Sequence, residues 1–287
     1  MGNDTIIVRS VSEYIDKFAL QGGTNFHNRN TRIMPIFRGQ ADKGWDLVPS
    51  IYRDNRFKYE TLYMQELERI CPEEFVGLSY IEKMIKMQHH GLPTRLLDFS
   101  LNPLVALYFA CNGCMGSDGA VYAVHGFPLH PENFVWISIV MKAIFEYTLT
   151  NFPLEEFIED LKSDTINYPC HDVEAFYTKE KLLNILHNPI GIYPKLRNSR
   201  IRNQDGVFIL FGMRVSGNAH GKKRFDKVAY KMPEVLSKHT QICYIPAECK
   251  IGILRELDYL GVNERKLFPD IDYMAKYIPS YFENRKW

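Results

Sequence analysis

An α+β fold is what this chain predicts, and two observations carry the prediction. Runs with β character (6–8, 33–38, 94–97, 119–125, 206–212 and 240–246) are interleaved with segments of helical spacing. The stretch from about 128 to 190 turns helical before the β pattern returns. Strands on both sides of a helical interlude put the helices on one edge of a sheet or in a lobe of their own. At 287 residues and 46% hydrophobic, the chain can bury a large core.

Taken in order, Ile6-Ile7-Val8 opens a strand, and Val11, Tyr14, Ile15 and Phe18 follow at helical spacing, with Ser12 as the expected N-cap. A strand over 33–38 ends at Gly39, which reads as a bend. Helices are expected over 59–70 and 75–87, the second giving way to Gln88-His89-His90 before Gly91. A short apolar strand over 94–97 then runs into an Asp98-Phe99-Ser100 corner, and a nearly uncharged helix over 104–114 opens at Asn102-Pro103. The segment 119–125 has the period of a strand. Helices follow over 137–149, 154–161 and 173–186, strands over 206–212 and 240–246, and a last helix over 251–260 that stops at Gly261. No internal repeat or low-complexity tract is found, so one domain with a helical insertion is expected, after a lead-in over residues 1–30.

Composition removes whole classes of function. Lys plus Arg is 35 against Asp plus Glu 34, a net charge of +1, which excludes a uniformly basic surface but leaves room for a local patch. No apolar run approaches the ~18 residues of a membrane span, and the first residues lack the pattern of a signal peptide or of myristoylation. A cytoplasmic protein with reduced thiols is expected. Cys111-Asn112-Gly113-Cys114 has metal-like spacing, but no second such pair accompanies it, so Cys111 is read as part of a buried helix face and no metal is expected. Dinucleotide-fold and P-loop glycine patterns are absent, as are a Gly-x-Ser-x-Gly elbow and a His-Glu-x-x-His helix.

The residues that could do chemistry cluster at bends. Arg38 at a strand end is a fixed, always-charged fork suited to a diphosphate or a carboxylate, or else a structural ion-pair member. Asp98, after two leucines, needs a partner, for which Arg95 or a ribose hydroxyl would serve. Ser100 is a ligand contact or a helix cap. His89 and His90 either donate to a phosphate or shuttle a proton, or satisfy backbone carbonyls, and Gln88 could close a hydrogen-bond network. Polar side chains at a strand end facing a helix N-terminus make the kind of crevice in which ligands bind. Lys222, Lys223 and Arg224, near Phe225, could grip single-stranded nucleic acid, as could Arg197, Arg200 and Arg202 upstream, or could be solvated surface.

These residues also carry a resemblance. Phe37-Arg38-Gly39, then Trp45-x-Leu47-x-Pro49-Ser50-x-x-Arg53, then Gln88-His89-x-Gly91-x-Pro93-Thr94-Arg95-Leu96-Leu97-Asp98-x-Ser100 resemble the FRG domain. The likeness extends to 200–208, 257–261 and 267–270, which makes residues 31–287 the expected FRG domain with its insertion at about 128–190. Phe37-Arg38-Gly39 and the Ser100 region are also similar, over a shorter stretch, to mono-ADP-ribosyltransferases. That second resemblance implies a split β-sheet core with flanking helices and NAD as co-substrate. On its terms Arg38 anchors NAD, and Ser100 and Asp98 frame the nicotinamide ribose. Phe37, Gly39, His89, His90, Thr94 and Arg95 lie around the same ligand, while Lys222, Lys223 and Arg224 would meet the acceptor. Gln204 falls where those enzymes carry a glutamate, and with Asp205 beside it, on an expected strand over 201–210. Glutamine can orient a ribose but cannot offer negative charge to an oxocarbenium ion. The resemblance implies ADP-ribose transfer to nucleic acid (RNA or DNA) or protein, in a toxin or phage-defence effector restrained by an antitoxin or regulatory protein. A non-catalytic nucleotide- or partner-binding domain and an NAD glycohydrolase are the two other readings the sequence leaves open.

Overall fold

The computed structural model describes residues 5–20, 35–147, 151–164, 178–217, 223–226 and 240–283. Its centre is an eight-stranded mixed sheet in the order β1-β11-β4-β2-β3-β8-β7-β5. The strands are β1 (Ile6–Ile7), β2 (Ile36–Gln40), β3 (Leu96–Ser100), β4 (Gly119–Val124), β5 (Leu129–Pro131), β7 (Ile190–Tyr193), β8 (Gly206–Leu210) and β11 (Thr240–Ile245). A separate three-stranded sheet joins β6 (Asn151–Pro153), β10 (Lys223–Asp226) and β9 (Arg214–Gly217). The α+β expectation holds. Among the described residues the expected insertion contains three helices, but it also contributes β5 to the main sheet and β6 to the small one, strands too short to leave a period in the sequence, and β7 starts where it ends.

The main sheet nearly parts in its middle. β2 pairs with β4 through five residues and β3 with β8 through five, yet β2 and β3 share a single register pair, Phe37 with Ser100. Two four-stranded halves therefore meet at one point and diverge beyond it.

Helices cover one face in two groups, one over each half. Over β2, β4 and β11 lie α1 (Val11–Tyr14), α4 (Pro103–Cys111) and α9 (Lys250–Tyr259), whose apolar side chains pack with Phe37, Val121, Ala123, Cys243 and Ile245. Over β3, β8 and β7 lie α3 (Tyr80–His89), α5 (Val135–Glu146) and α7 (Lys179–His187), packed on Leu96, Phe208, Leu210 and Ile192, with α2 (Glu60–Ile70) and α6 (Leu154–Ser163) behind them. The opposite face buries Ile36, Leu97, Phe99, Tyr122, Val207 and Ile209 beneath Leu47, Tyr52 and Phe127. Three short or late helices complete the set: α8 (Ser199–Asn203), α10 (Glu264–Leu267) and α11 (Ile271–Glu283).

Several boundaries correct the sequence reading. The first helix is capped by Ser10, whose hydroxyl accepts from the Glu13 amide at 3.1 Å, rather than by Ser12. Gly39 does not end β2 but sits inside it. A Cβ there would lie 1.9 Å from the Ala106 carbonyl oxygen and 2.6 Å from the Ala110 nitrogen, so glycine is what lets α4 lie directly on the strand. β3 runs to Ser100, which places Asp98 and Ser100 within the strand instead of at a corner after it. The helix expected from residue 75 starts at Tyr80, where Ser79 and Glu82 form a capping box. Of the helix expected over 173–186, residues 173–177 lie outside the described residues. No helix of the described residues is long and apolar enough to cross a membrane.

Candidate functional site at the parting of the sheet

A cavity of about 270 Å³ opens where β2 and β3 diverge, between the two helix groups. That volume is at the lower edge of the ~300–1,000 Å³ usual for small-molecule sites. Its floor is Phe37, Arg38 and Gly39 of β2 with Asp98, Phe99 and Ser100 of β3. Ile85, Gln88 and His89 from the end of α3 form one wall, and Val105, Ala106 and Phe109 of α4 the facing one. Asn198, Arg200, Ile201 and Gln204, on and around α8, close the third side, next to Gly206 and Phe208 of β8.

Arg38 occupies the gap itself. Antiparallel register beyond the Phe37–Ser100 pair would bring Arg38 opposite Phe99 and Gly39 opposite Asp98, but the strands have already separated. The guanidinium reaches across, its Nη1 donating to the Asp98 carbonyl oxygen at 2.6 Å, in place of a missing ladder bond. The Asp98 carboxylate stands off at 3.8 Å. Burial pushes the Arg38 pKa down, opposed by the Asp98 charge. Nε of Arg38 is buried without a hydrogen-bond partner among the described residues.

Asp98 projects from the strand, its side chain 62% exposed, at the mouth of the cavity. Its Oδ1 accepts from Gln88 Nε2 at 2.7 Å. The Thr94 hydroxyl donates to Gln88 Oε1, which fixes the amide with its nitrogen toward Asp98. Thr94 is itself fully buried, its backbone nitrogen donating to the Ser50 hydroxyl at 3.3 Å. A chain of hydrogen bonds thus runs from the core through Gln88 to the carboxylate. Asp98 is the acidic side chain among those lining the cavity.

Ser100 is bound internally. Its hydroxyl donates to the Gln204 carbonyl at 2.6 Å and accepts from the Asn102 amide at 2.9 Å. The helix cap proper is Asn102, accepting from Leu104 nitrogen at 3.0 Å. Gln204 is not on a strand. It follows α8, which Asn198 caps by accepting from the Ile201 amide at 2.8 Å. The chain then turns through Asp205, at φ 46°, into β8. Gln204 Nε2 donates to the Leu267 carbonyl at 3.0 Å, tying the α8 turn to the C-terminal segment. The side chain lines the cavity, but its donor is spent on the fold.

The remaining expected site residues divide sharply. His89 lines the cavity, with Nε2 3.5 Å from Asp270 Oδ1. Burial lowers its pKa, offset by Asp270 and reinforced by His90 and Arg200. His90 is exposed at the C-cap of α3, edge-on to His89, and does not line the cavity. Arg95 is a correction. It points to the opposite face from Asp98, fully buried, with a bidentate bond to Glu60 and further bonds to the Phe211 and Gly212 carbonyls at 3.2 Å. Residues three apart on a strand face opposite ways, so Arg95 cannot serve as partner to Asp98. Lys222 lies outside the described residues, and the backbone of Lys223 and Arg224 belongs to β10 of the small sheet, not to the main sheet. Cys111 is a buried helix residue whose thiol pKa is pushed up to about 12 by burial. Cys170 and His171 lie outside the described residues.

Two functional candidates were underread in the sequence. Gln88 proves to be the orienting contact of Asp98. Arg200 lies in the cavity wall, its guanidinium 4.6 Å over the Phe268 ring. Arg200 opens the run 200–208, the signal that could have drawn attention to it.

The geometry defines an α+β protein with a cavity at the parting of its sheet, lined by apolar side chains together with a few polar ones and floored by a strand arginine. Residues 34–118 match the family model described as the FRG domain. That span holds β2, α3, β3 and α4, and so most of the cavity, whereas Arg200 and Gln204 come from outside it. No curated protein and no solved structure matches the chain.

Proposed function

We propose that the chain is an ADP-ribosyltransferase-like enzyme that takes NAD as substrate and passes ADP-ribose to a macromolecular acceptor, RNA, DNA or protein. The observation that carries this reading is the meeting of Arg38 with Asp98 and Ser100 in one cavity, although some sixty residues separate them in sequence. The split between β2 and β3 supports it, because the gap exposes Arg38 to a ligand from the cavity side.

In this reading Arg38 holds the diphosphate, and Asp98, steadied by Gln88, faces the nicotinamide ribose. The glycosidic carbon–nitrogen bond breaks with its electron pair leaving on nicotinamide, which becomes neutral. The sugar carbon gains positive charge that the Asp98 carboxylate stabilises. An acceptor oxygen or nitrogen then bonds to that carbon and loses its proton to the carboxylate or to water. Ser100 and Gln204 act by shaping the turn that closes the site, since their donors are bound to backbone carbonyls. A role as a toxin or defence effector, restrained by an antitoxin, is the setting that fits such chemistry.

The test is incubation of pure protein with NAD labelled in the adenylate half, plus separate cellular RNA, DNA and protein fractions. Transfer of label to one fraction is the expected result. Nicotinamide release without transfer would make the enzyme a glycohydrolase. NAD left intact in every fraction would leave a binding domain and sink the enzymatic reading.

A further inference from the structure

We propose that Arg200 is a second anion-binding residue of the cavity, and that with Arg38 it selects ligands carrying two linked phosphates over those carrying one or none. The inference deepens the NAD reading and rests on it for the identity of the ligand, but not for the role of Arg200.

Three observations carry it. Arg200 lines the same cavity as Arg38, on the wall contributed by α8. Its guanidinium carbon sits 4.6 Å over the Phe268 ring, which is fixed by stacking on Tyr273 (centroids 4.4 Å apart, 14° between planes) and edge-on contact with Phe109 at 5.9 Å. A guanidinium stacked by its face keeps its N–H groups, which lie in the ring plane, free to fork onto an oxyanion. Third, Arg200 makes no ion pair or hydrogen bond with a side chain or carbonyl among the described residues. Arg95 and Arg197 do: Arg95 is paired with Glu60, and Arg197 with Glu82. A half-buried cation that is positioned by an aromatic platform and has no counter-ion among the described residues is poised for an anion from outside the chain.

Arg38 complements it. Its Nη1 is taken by the Asp98 carbonyl, but its Nε is buried and unpartnered. Asp98 at the mouth repels a ligand anion that approaches on its side, which leaves the Arg200 wall as the place for a second phosphate. His89 lines the same cavity, its pKa lowered by burial, with Arg200 adding to that effect and Asp270 opposing it. The cavity thus gains cationic donors from two elements far apart in sequence, β2 and α8, and one phosphate cannot use both as well as a diphosphate can.

Calorimetric titration of wild type, Arg200→Ala, Arg200→Lys and Arg38→Ala is the test. The probes are ADP-ribose, nicotinamide mononucleotide, nicotinamide riboside and inorganic pyrophosphate. Arg200→Ala should weaken ADP-ribose and pyrophosphate by about ten- to a hundredfold, the loss of one charge-assisted contact. It should weaken the mononucleotide less and the riboside hardly at all. Arg200→Lys should recover part of the loss and, because it keeps the stem over Phe268, also reports whether the alanine variant merely unfolds. Unchanged pyrophosphate and ADP-ribose affinity in folded Arg200→Ala and Arg200→Lys proteins overturns the proposal. Pyrophosphate binding that depends on Arg200, with no binding of ADP-ribose by wild type, would sink the NAD reading and keep this one. A wild-type protein that binds neither would sink both.

Discussion

Asp98→Asn separates chemistry from folding, because the carboxylate stands where its charge adds little to stability. The side chain is 62% exposed and 3.8 Å from the Arg38 guanidinium, a loose pair near water. Such pairs contribute about 0–1 kcal/mol. The asparagine Oδ1 can still accept from Gln88 Nε2, now at 2.7 Å, so the hydrogen bond that orients the side chain survives. What disappears is the negative charge that, in the proposed reaction, faces the reacting sugar. Removing one preorganised electrostatic contact to a transition state costs about 2.7–4 kcal/mol, roughly 10²–10³ in kcat. The expected outcome is a melting temperature within a few degrees of wild type, ADP-ribose affinity within about threefold, and nicotinamide release down by that 10²–10³. Gln204→Ala gives the contrast. It loses a bond to the Leu267 carbonyl, about 1 kcal/mol of stability, and little of the chemical step. Nicotinamide release at the wild-type rate from a folded Asp98→Asn protein would refute the reasoning and leave the oxocarbenium charge without a source.

Arg38→Ala should lower NAD affinity by about ten- to a hundredfold, measured by titration, with Arg38→Lys recovering only part because an ammonium lacks the fork. It should also loosen the gap, visible as faster hydrogen exchange at β2 and β3, since the guanidinium bridges to the Asp98 carbonyl. Gly39→Ala should destabilise by more than the ~1–3 kcal/mol usual for overpacking, because its Cβ would meet helix backbone and not a side chain that can move; denaturant unfolding checks this, and a folded variant of near wild-type midpoint would mean α4 can shift. Glu60→Gln leaves the fully buried Arg95 charge uncompensated and should cost about 3–5 kcal/mol by the same measurement, with ligand affinity unchanged in whatever protein stays folded.

How much of this was legible in the sequence depended on whether a residue's role was local. Asn102-Pro103 announced α4, and the helical run before Gly91 announced α3, because caps and breakers act within a turn. Arg38, Asp98 and Ser100 were singled out by their motifs, and the cavity gathers them. At Gly39 a glycine that ends a strand and a glycine that admits a helix look alike in one chain; only the position of Ala106 distinguishes them. The sequence puts Gln204 on a strand because the β pattern of Gly206–Leu210 runs back across a helix of only five residues, whose sole local sign is its Asn198 cap. Arg95 and Asp98 looked like partners by proximity. Their spacing of three already put them on opposite faces, while the real partner, Glu60, lies on a helix that no local pattern connects to β3. The second arginine of the site, Arg200, needed the fold: its aromatic platform, Phe268, is 68 residues away in sequence.

Arg38 and Arg95 show what the fold has done with its cations. Arg95 is saturated. Glu60 takes Nε and Nη2, two carbonyls take Nη1, and Tyr52 lies alongside, so nothing of it remains for a ligand. Arg38 is left short, with one carbonyl at bonding distance, one carboxylate too far for a good bond, and a buried Nε with no partner. A buried donor left unmade costs about 1–3 kcal/mol, and more when it belongs to a charged group. The same chain that gave Arg95 two oxygens of Glu60 gave Arg38 a gap in the sheet. Packing alone would favour closing that gap, since full pairing of β2 with β3 would satisfy the strand edges and needs no arginine between them. The strands instead meet at one residue pair, and the unsatisfied donor lies among the residues that line a cavity. An anion entering the cavity would offset that cost, which is the physical ground for the proposed role of Arg38 as its anchor.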